Sequence, residues 1–392
     1  MNGPARFLMA AAALLVAAAP LTAQLSRSER CTVCKNDAKL MERNGITHGP
    51  FPFARNDSEK IAADFLWAPV WIETKHVRLA ADLPTWKIPE NEKKAYRAEL
   101  EELQKKWPEI KPKGRSMDRW LRAHLLAERI ESFYAEFEAL VGREEESFWD
   151  EDKNYYAGVG PYLGMFEKYE VMIFQERELY RDFMQRTWGL TYVKPQRWNN
   201  VERRCLWFGF NMEEDDIRHD ERIHNAVRHN LALNFLNGYQ FYAYDLPAWL
   251  REGLAHWATR VNDERFAFFD TVEGAFVEKK SLLDWRPDVR ELVLKDEATS
   301  FASLMRRHSF AELDFEDHLV VWSKVDFLIA QGAEKFGAFV TDLKSRRNAA
   351  GLPDGSGMDD AQRDAFRDHY GWNLPQVENA WKAWVVESYS AK

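Results

Sequence analysis

Segments that favour β-strands lie in the first half of this 392-residue sequence, whereas segments with helical periodicity dominate the second half. Residues 71–79, 168–174 and 205–210 are rich in β-branched and aromatic side chains, which favours strands. Apolar residues then recur at helical spacing, and we expect long helices over about 212–236 and 247–261. Strands followed by a helix-dominated half predict an α+β fold, with a small mixed sheet followed by a helix-dominated lobe.

Composition and charge narrow the classes of partner. Hydrophobic residues make up 46% of the chain, which is enough to bury at least one sizeable core. The formal net charge of −9 gives no attraction to phosphate backbones or anionic lipids. We therefore expect no nucleic acid partner and no role at a membrane surface. Trp is unusually frequent, with 16 residues, which buried aromatic platforms explain as easily as ligand stacking does.

The first 23 residues have the pattern of a secretory signal peptide. A positive charge at Arg6 precedes the apolar run 7–19, and the segment that ends at Ala23 favours cleavage there. The run is too short to cross about 30 Å of hydrocarbon, and we find no other stretch as long as a transmembrane helix. We therefore predict a signal peptide over 1–23 and a secreted or periplasmic protein with no membrane span after cleavage.

Residues 24–65 are polar and turn-rich and form a predicted N-terminal segment with a C-x-x-C pair, Cys31 and Cys34. In an oxidising compartment such a pair is most simply a local disulfide. A zinc clip that adds His48 is the alternative, although the sequence indicates no fourth ligand. Cys205 stands alone, and its role is left open.

The most informative residues lie in two segments, 226–233 and 246–257, the first within and the second overlapping the predicted helices 212–236 and 247–261. The first contains His229, and the second includes Trp249-Leu250-Arg251-Glu252-Gly253-Leu254-Ala255. This second segment resembles the third-ligand helix of the gluzincin metallopeptidases, especially the peptidase-MA-like group, which commonly reads W-L-x-E-G-x-A. In that family the preceding helix carries H-E-x-x-H, whose two His bind Zn²⁺ and whose Glu is the general base. Glu252 follows His229 by 23 positions, as in the family, so the resemblance implies ligands at both.

Two family positions are not matched. Asn230 occupies the general-base position, and Leu233 occupies that of the second His ligand. An amide cannot take a proton from water, and Leu offers no lone pair to a metal. The resemblance extends over 66–392 as one peptidase-MA-like domain, and it therefore implies a gluzincin-like fold with a degraded zinc site.

A rearranged metal site is the alternative. Glu252 and His256 lie within about 40° of each other on an ideal helix, so His229, Glu252 and His256 are candidate ligands and zinc is a possible cofactor. In the family the residue one turn after the Glu usually orients the first His instead. The segment around His318 resembles the helix that in related peptidases carries an oxyanion-stabilising Tyr. Asn230 and His318 are therefore the candidate catalytic residues.

Three functions are compatible with these observations. The one we favour is a non-catalytic pseudo-peptidase that binds an extracellular or periplasmic polypeptide or another cell-envelope component. The second is an active zinc hydrolase with rearranged ligands and another base, His318 or Glu221. The third is a Trp-rich glycan-binding protein, which needs a row of solvent-facing Trp side chains. The sequence leaves the ligand and the oligomeric state open.

Overall fold

The computed structural model describes residues 30–143, 158–213, 217–266 and 284–390. The signal peptide expected over 1–23 lies outside these residues and stays a prediction. Within the described ranges, no helix has both the length and the apolar character that crossing a bilayer requires.

The strands of the described residues all lie before residue 212. They are β1 (Pro52–Phe53), β2 (Asn56–Asp57), β3 (Val70–Glu73), β4 (Val77–Ala81), β5 (Trp86–Lys87), β6 (Ser116–Met117), β7 (Tyr169–Phe174), β8 (Gln196–Asn200) and β9 (Cys205–Asn211).

Helices flank the strands and then make up nearly all regular structure after β9. They are α1 (Ala38–Arg43), α2 (Ser58–Phe65), α3 (Lys93–Lys106), α4 (Arg119–Val141), α5 (Arg177–Trp188), α6 (Asp220–Gly238), α7 (Ala248–Asp263), α8 (Arg286–Leu294), α9 (Phe301–Leu304), α10 (Phe315–Ala330), α11 (Ala333–Lys344), α12 (Met358–Ala365) and α13 (Leu374–Ser388).

Five strands form a mixed sheet in the order β3-β4-β7-β9-β8. The central strands β4, β7 and β9 are parallel, and β3 and β8 pair antiparallel at the two edges. Every residue of β7 and β9 is buried, as expected for parallel strands covered on both faces. The segment 71–79 is not one strand, because Thr74 bonds with Val77 through both its backbone and its hydroxyl and turns the chain into the β3–β4 hairpin.

Helices α4 and α6 cover one face of the sheet. Helix α4 begins after Asp118, whose side chain accepts from the Leu121 N–H, and ends at Gly142 in the left-handed conformation. Helix α6 begins at Asp220, later than predicted, because the His219 side chain accepts from the Glu221 N–H and caps the helix there. Both helices share one hydrophobic core with the sheet.

The opposite face of the sheet is covered by the N-terminal segment and by α5. Phe53 and Trp67 pack on Phe174 and Trp207 in a second apolar cluster. The rings of Trp67 and Phe174 are stacked with centroids 4.1 Å apart. The sheet is therefore buried on both faces.

In the second half, α7 lies between α6 and α10, and α13 packs against α8 and α10. Trp381 of α13 is buried and donates from its indole N–H to Ser323 Oγ at 3.0 Å. The predicted α+β fold, with a small mixed sheet followed by a helical lobe, is confirmed. Among the described Trp residues, Trp198 is the most exposed at 37%, so no solvent-facing row of Trp, as glycan binding would need, is present among them.

Candidate functional site

The predicted ligand helices, α6 and α7, pack directly against each other, and α10 packs on the far side of α7. Gly253 is the reason that α7 and α10 approach so closely. A Cβ at this position would lie 2.5 Å from the Val321 carbonyl oxygen and 2.6 Å from Val325 Cγ2. The Gly of the E-G-x-A pattern thus permits a helix crossing that brings α10 to the residues on either side of it.

Three potential metal ligands converge at this crossing. Glu252, His256 and His318 are buried, and each offers one ligand atom within 4.8 Å of the others. His256 Nε2 lies 3.0 Å from His318 Nδ1, so one ring donates a hydrogen bond to the other. Burial lowers the pKa of His318 to about 4 and holds the pKa of His256 well below its ordinary value. Both imidazoles are therefore neutral, which is the state that metal ligation needs.

His229 lies beside this group but not within it. Its ring centroid is 5.3 Å from that of His256, and its side chain is completely buried. Burial also holds the pKa of His229 well below its ordinary value. The sequence proposed His229, Glu252 and His256 as a set, whereas the set that the structure brings within ligand distance contains His318 in place of His229.

The two residues that depart from the H-E-x-x-H pattern, Asn230 and Leu233, both make defined structural contacts. Asn230 Oδ1 accepts from Arg197 Nη1 at 3.0 Å, and Asn230 Nδ2 donates to the Ala226 carbonyl at 2.9 Å. Leu233 is buried in the main apolar core. Position 230 thus holds a neutral amide fixed by a guanidinium, and position 233 holds a packing residue.

A cavity of about 290 Å³ lies over this region, between β8 and the C-terminal half of α6. Its walls include Arg197 and Trp198 of β8, Asn234 of α6, and Arg251 of α7. Phe310 also lines the cavity, and its ring centroid lies 5.0 Å from that of His318. The cavity therefore borders the buried group through Phe310, which contacts His318, whereas Arg197 connects the cavity to Asn230. We call this cavity the β8 cleft.

Glu221, the other base considered from sequence, is committed elsewhere. Burial raises its pKa, but hydrogen bonding to His224 and the charge of Arg129 outweigh burial and lower the pKa to about 2. Its carboxylate contacts Arg129 Nη2 at 2.5 Å, in an ion-pair network that includes Asp220. An anion bound this firmly cannot act as a proton acceptor near neutral pH.

The C-x-x-C pair lies in a different part of the fold. The predicted disulfide is absent, because Cys31 and Cys34 are free thiols that each face a histidine instead. Cys34 Sγ lies 3.2 Å from His48 Nε2, and Cys31 Sγ lies 3.4 Å from His124 Nε2. A hydrogen bond from the Cys31 thiol lowers the pKa of Cys34 to about 7. His124 was missed from sequence because it belongs to α4, far along the chain from the pair, and no spacing pattern connects them.

No protein-family model matches this chain, and no curated protein matches it either. The likeness to gluzincin peptidases therefore rests on the residues and their spacing alone.

Proposed function

We propose that this protein is an exported, non-catalytic relative of the gluzincin peptidases that binds an extended polypeptide segment in the β8 cleft. The observation that carries this proposal is the pairing of Asn230 with Arg197. The family's general base is replaced there by an amide that cannot accept a proton, and a guanidinium holds this amide in place. We infer that position 230 has a structural role and supplies no general base.

The cleft itself supports a polypeptide ligand. Strand β8 pairs with β9 on one side only, within the described part of the chain. An edge strand can accept a further strand through its backbone groups, which is a common mode of peptide recognition. The exposed ring of Trp198 adds an apolar contact on this strand, and Arg197 adds positive charge, whereas Arg251 is paired with Asp245 of the same cleft at 3.5 Å. We infer that preferred peptides are extended and carry an acidic or apolar side chain.

The test is selection of peptides from a displayed random library against the chain from residue 24 onward, followed by fluorescence anisotropy on the selected peptides. We expect Trp198→Ala to weaken binding by about tenfold, equivalent to ~1.4 kcal/mol. Val386→Ala is the matched control, because Val386 is similarly exposed but lies on α13. Zinc-dependent cleavage of the selected peptides that disappears in Glu252→Ala would overturn the proposal.

A second candidate function is favoured by the group Glu252, His256 and His318. Two imidazoles and one carboxylate are the ligand types of catalytic zinc sites, so these residues fit the metal. Zinc held there would supply a Lewis acid that activates water. This candidate is a zinc hydrolase with rearranged ligands, and it lacks a carboxylate at position 230 to act as base.

Metal analysis and activity together separate the two candidates. The hydrolase predicts peptide or ester hydrolysis that a chelator abolishes and zinc restores, with loss of turnover in both Glu252→Gln and His318→Ala. The binding protein predicts no turnover under any of these conditions and unchanged peptide affinity in His318→Ala. Arg197→Ala should weaken peptide binding in either case, because Arg197 lines the cleft.

A further inference from the structure

A second cluster of metal-binding side chains lies at the base of α4, remote from the helix pair just described. Cys31, Cys34, His48 and His124 each offer one ligand atom, and these four atoms lie within 4.8 Å of one another. Both cysteines and His124 are buried, and His48 is half-buried. We propose that these four residues form a tetrahedral Cys₂His₂ zinc site that is structural. This inference does not depend on the proposed function.

The interatomic distances fit a shared ion. With Zn–S bonds near 2.3 Å and Zn–N bonds near 2.0 Å, two ligands of a tetrahedral site are separated by about 3.6 Å. The observed Sγ–Nε2 distances are 3.2 Å for Cys34 and His48 and 3.4 Å for Cys31 and His124. Shifts of a few tenths of an ångström would therefore be enough to admit the metal. A bound zinc requires both thiols as thiolates, so two protons leave on binding.

The atoms around the ligands are arranged to support a metal. His48 Nδ1 donates to the Trp71 carbonyl at 2.9 Å, which leaves Nε2 unprotonated and directed at the cluster. The backbone N–H groups of Val33 and Cys34 point at Cys31 Sγ from 3.4 and 3.3 Å. Such donors stabilise a thiolate. Each of these contacts would orient a ligand or offset its charge.

The surroundings point to a closed, structural site. The cluster is packed among apolar side chains that include Leu100, Trp107 and Leu125. The ring of Trp107 makes an edge contact with His124, with centroids 4.9 Å apart. A cavity of about 360 Å³ nearby is lined by Thr32, Asp118 and Trp120 but by none of the four ligands. A thiol nucleophile would need access that this cluster does not provide.

Zinc at this position would connect three parts of the fold. Cys31 and Cys34 precede α1, His48 is bonded to the carbonyl of Trp71 in β3, and His124 lies in the first turns of α4. The short N-terminal segment would thus be fastened to both the sheet edge and the longest helix. A metal cross-link of this kind stabilises a segment that is too small to form a core of its own.

The test begins with the unmodified protein, purified without chelator. We expect about one zinc ion per chain that is released stoichiometrically when the two thiols are modified. Exchange for Co²⁺ should give tetrahedral d–d bands together with thiolate-to-cobalt charge-transfer absorption. Release on thiol modification and the charge-transfer absorption are specific for cysteine ligands, so a metal at Glu252, His256 and His318 would not produce them, although it could give d–d bands.

Variants then assign the ligands. Cys34→Ser and His124→Ala should each lose the charge-transfer band or alter it strongly, whereas Cys205→Ser is the matched control and should leave it unchanged, because Cys205 is a buried thiol outside the cluster. The wild-type cobalt spectrum decides the matter even where a variant fails to fold. A Cys31–Cys34 disulfide in the natively purified protein, or cobalt binding without thiolate absorption, would overturn the proposal.

Discussion

At the scale of single residues, two buried lysines differ in how their charge is compensated. Lys324 Nζ donates to Glu378 Oε2 at 2.8 Å, which gives it a carboxylate partner. Lys344 Nζ instead donates to the backbone carbonyl of Tyr244 at 3.0 Å and lies near the Tyr244 ring. Burial lowers the pKa of both Lys324 and Lys344 to about 7. The charge of Lys344 therefore destabilises the folded state at and below neutral pH.

We predict a specific pH dependence for Lys344→Met. In the unfolded chain this amine keeps its proton up to about pH 10.4, whereas the folded chain releases it near pH 7. Between these values the unfolded state binds more protons, so the free energy of unfolding rises with pH in the wild type. Relative to Lys344→Met, the wild type should gain up to ~1.4 kcal/mol per pH unit across this window.

Urea unfolding of the wild type and of Lys344→Met at pH 6, 7.5 and 9 measures this difference. Lys335→Met is the matched control, because Lys335 is exposed on the same helix. The control should follow the wild type at every pH. A constant difference between the wild type and Lys344→Met would show that Lys344 stays protonated in the folded protein.

The residue scale also shows what one sequence can reveal about a site. Glu252 and His256 lie together in the structure, because four positions on a helix place two side chains on one face. Their role as metal ligands stays a prediction. His318 reaches His256 from another helix, and His124 reaches Cys31 from α4. Those encounters depend on how the helices pack, for which residue spacing carries no signal. The predicted disulfide was wrong for the same reason, since it was inferred without knowledge of the two histidines.

At the scale of elements, close helix crossings are set by glycines that face a neighbouring backbone. Gly253 permits α7 and α10 to touch, as described above, and Gly337 does the same for α11 and α4. A Cβ at Gly337 would lie 2.8 Å from the backbone of Val141. Both glycines lie against the backbone of a neighbouring helix, but only the first positions the candidate site.

We predict that Gly253→Ala separates α7 from α10 and weakens the His256–His318 contact. Overpacking at a tight crossing typically costs ~1–3 kcal/mol, which outweighs the gain of up to ~1 kcal/mol in helix propensity. The stability loss is measured by urea unfolding, and the local effect by NMR signals of the imidazole nitrogens.

Gly337→Ala serves as the control for this change. It should lower stability by a similar amount, because its Cβ also meets backbone atoms, but it should leave the imidazole signals of His256 and His318 in place. Equal shifts of those signals in both variants would contradict the local role of Gly253.

Helix and strand bounds were predictable where a proline, as at the start of α7, or a continuous apolar run, as in β7, marks them. Helix α7 runs over Ala248–Asp263, against an expected 247–261, and β7 over Tyr169–Phe174, against 168–174. The β3–β4 hairpin was not predicted, because the turn at Thr74 lies inside a segment whose composition favours β-structure throughout. A turn that depends on the hydroxyl group of a single Thr cannot be recognised from the amino-acid composition of the segment.

At the scale of the whole molecule, the N-terminal segment is an integral layer of the fold. The Ala54 N–H donates to Glu170 Oε2 at 2.9 Å, and its carbonyl accepts from Asn200 Nδ2 at 2.8 Å. Glu170 lies in β7 and Asn200 in β8, so this one residue connects two strands of the sheet. Phe53, next to it, is buried against the same face.

The class of fold was predictable at this scale, but the strand order was not. Strands followed by helices indicated an α+β protein, as the structure confirms. The parallel pairing of β4 with β7 and of β7 with β9 joins segments that are far apart in sequence. Strands β7 and β9 are mostly apolar and are buried on both faces, so their composition does not show which element covers which face.

The sequence predicted an N-terminal segment over residues 24–65 and a separate domain over residues 66–392. If residues 66–392 folded independently, a chain with only these residues would unfold cooperatively with the stability of the chain 24–392. We expect instead that the shorter chain exposes Phe174 and Trp207, because Phe53 and its neighbours cover them. It should bind a hydrophobic dye and elute as aggregates in size-exclusion chromatography.

Truncation also removes Cys31, Cys34 and His48, so a point variant must separate packing from metal binding. Phe53→Ala in the chain 24–392 retains all four proposed ligands and removes only apolar contacts. Deleting a buried Phe side chain typically costs ~3–5 kcal/mol, and we expect a loss in that range by urea unfolding. An unchanged free energy of unfolding in Phe53→Ala, together with a monomeric 66–392 chain, would establish the N-terminal segment as a separate unit. The contacts of Phe53 and Ala54 with the sheet argue for the opposite result, in which the sheet needs this segment to complete its second face.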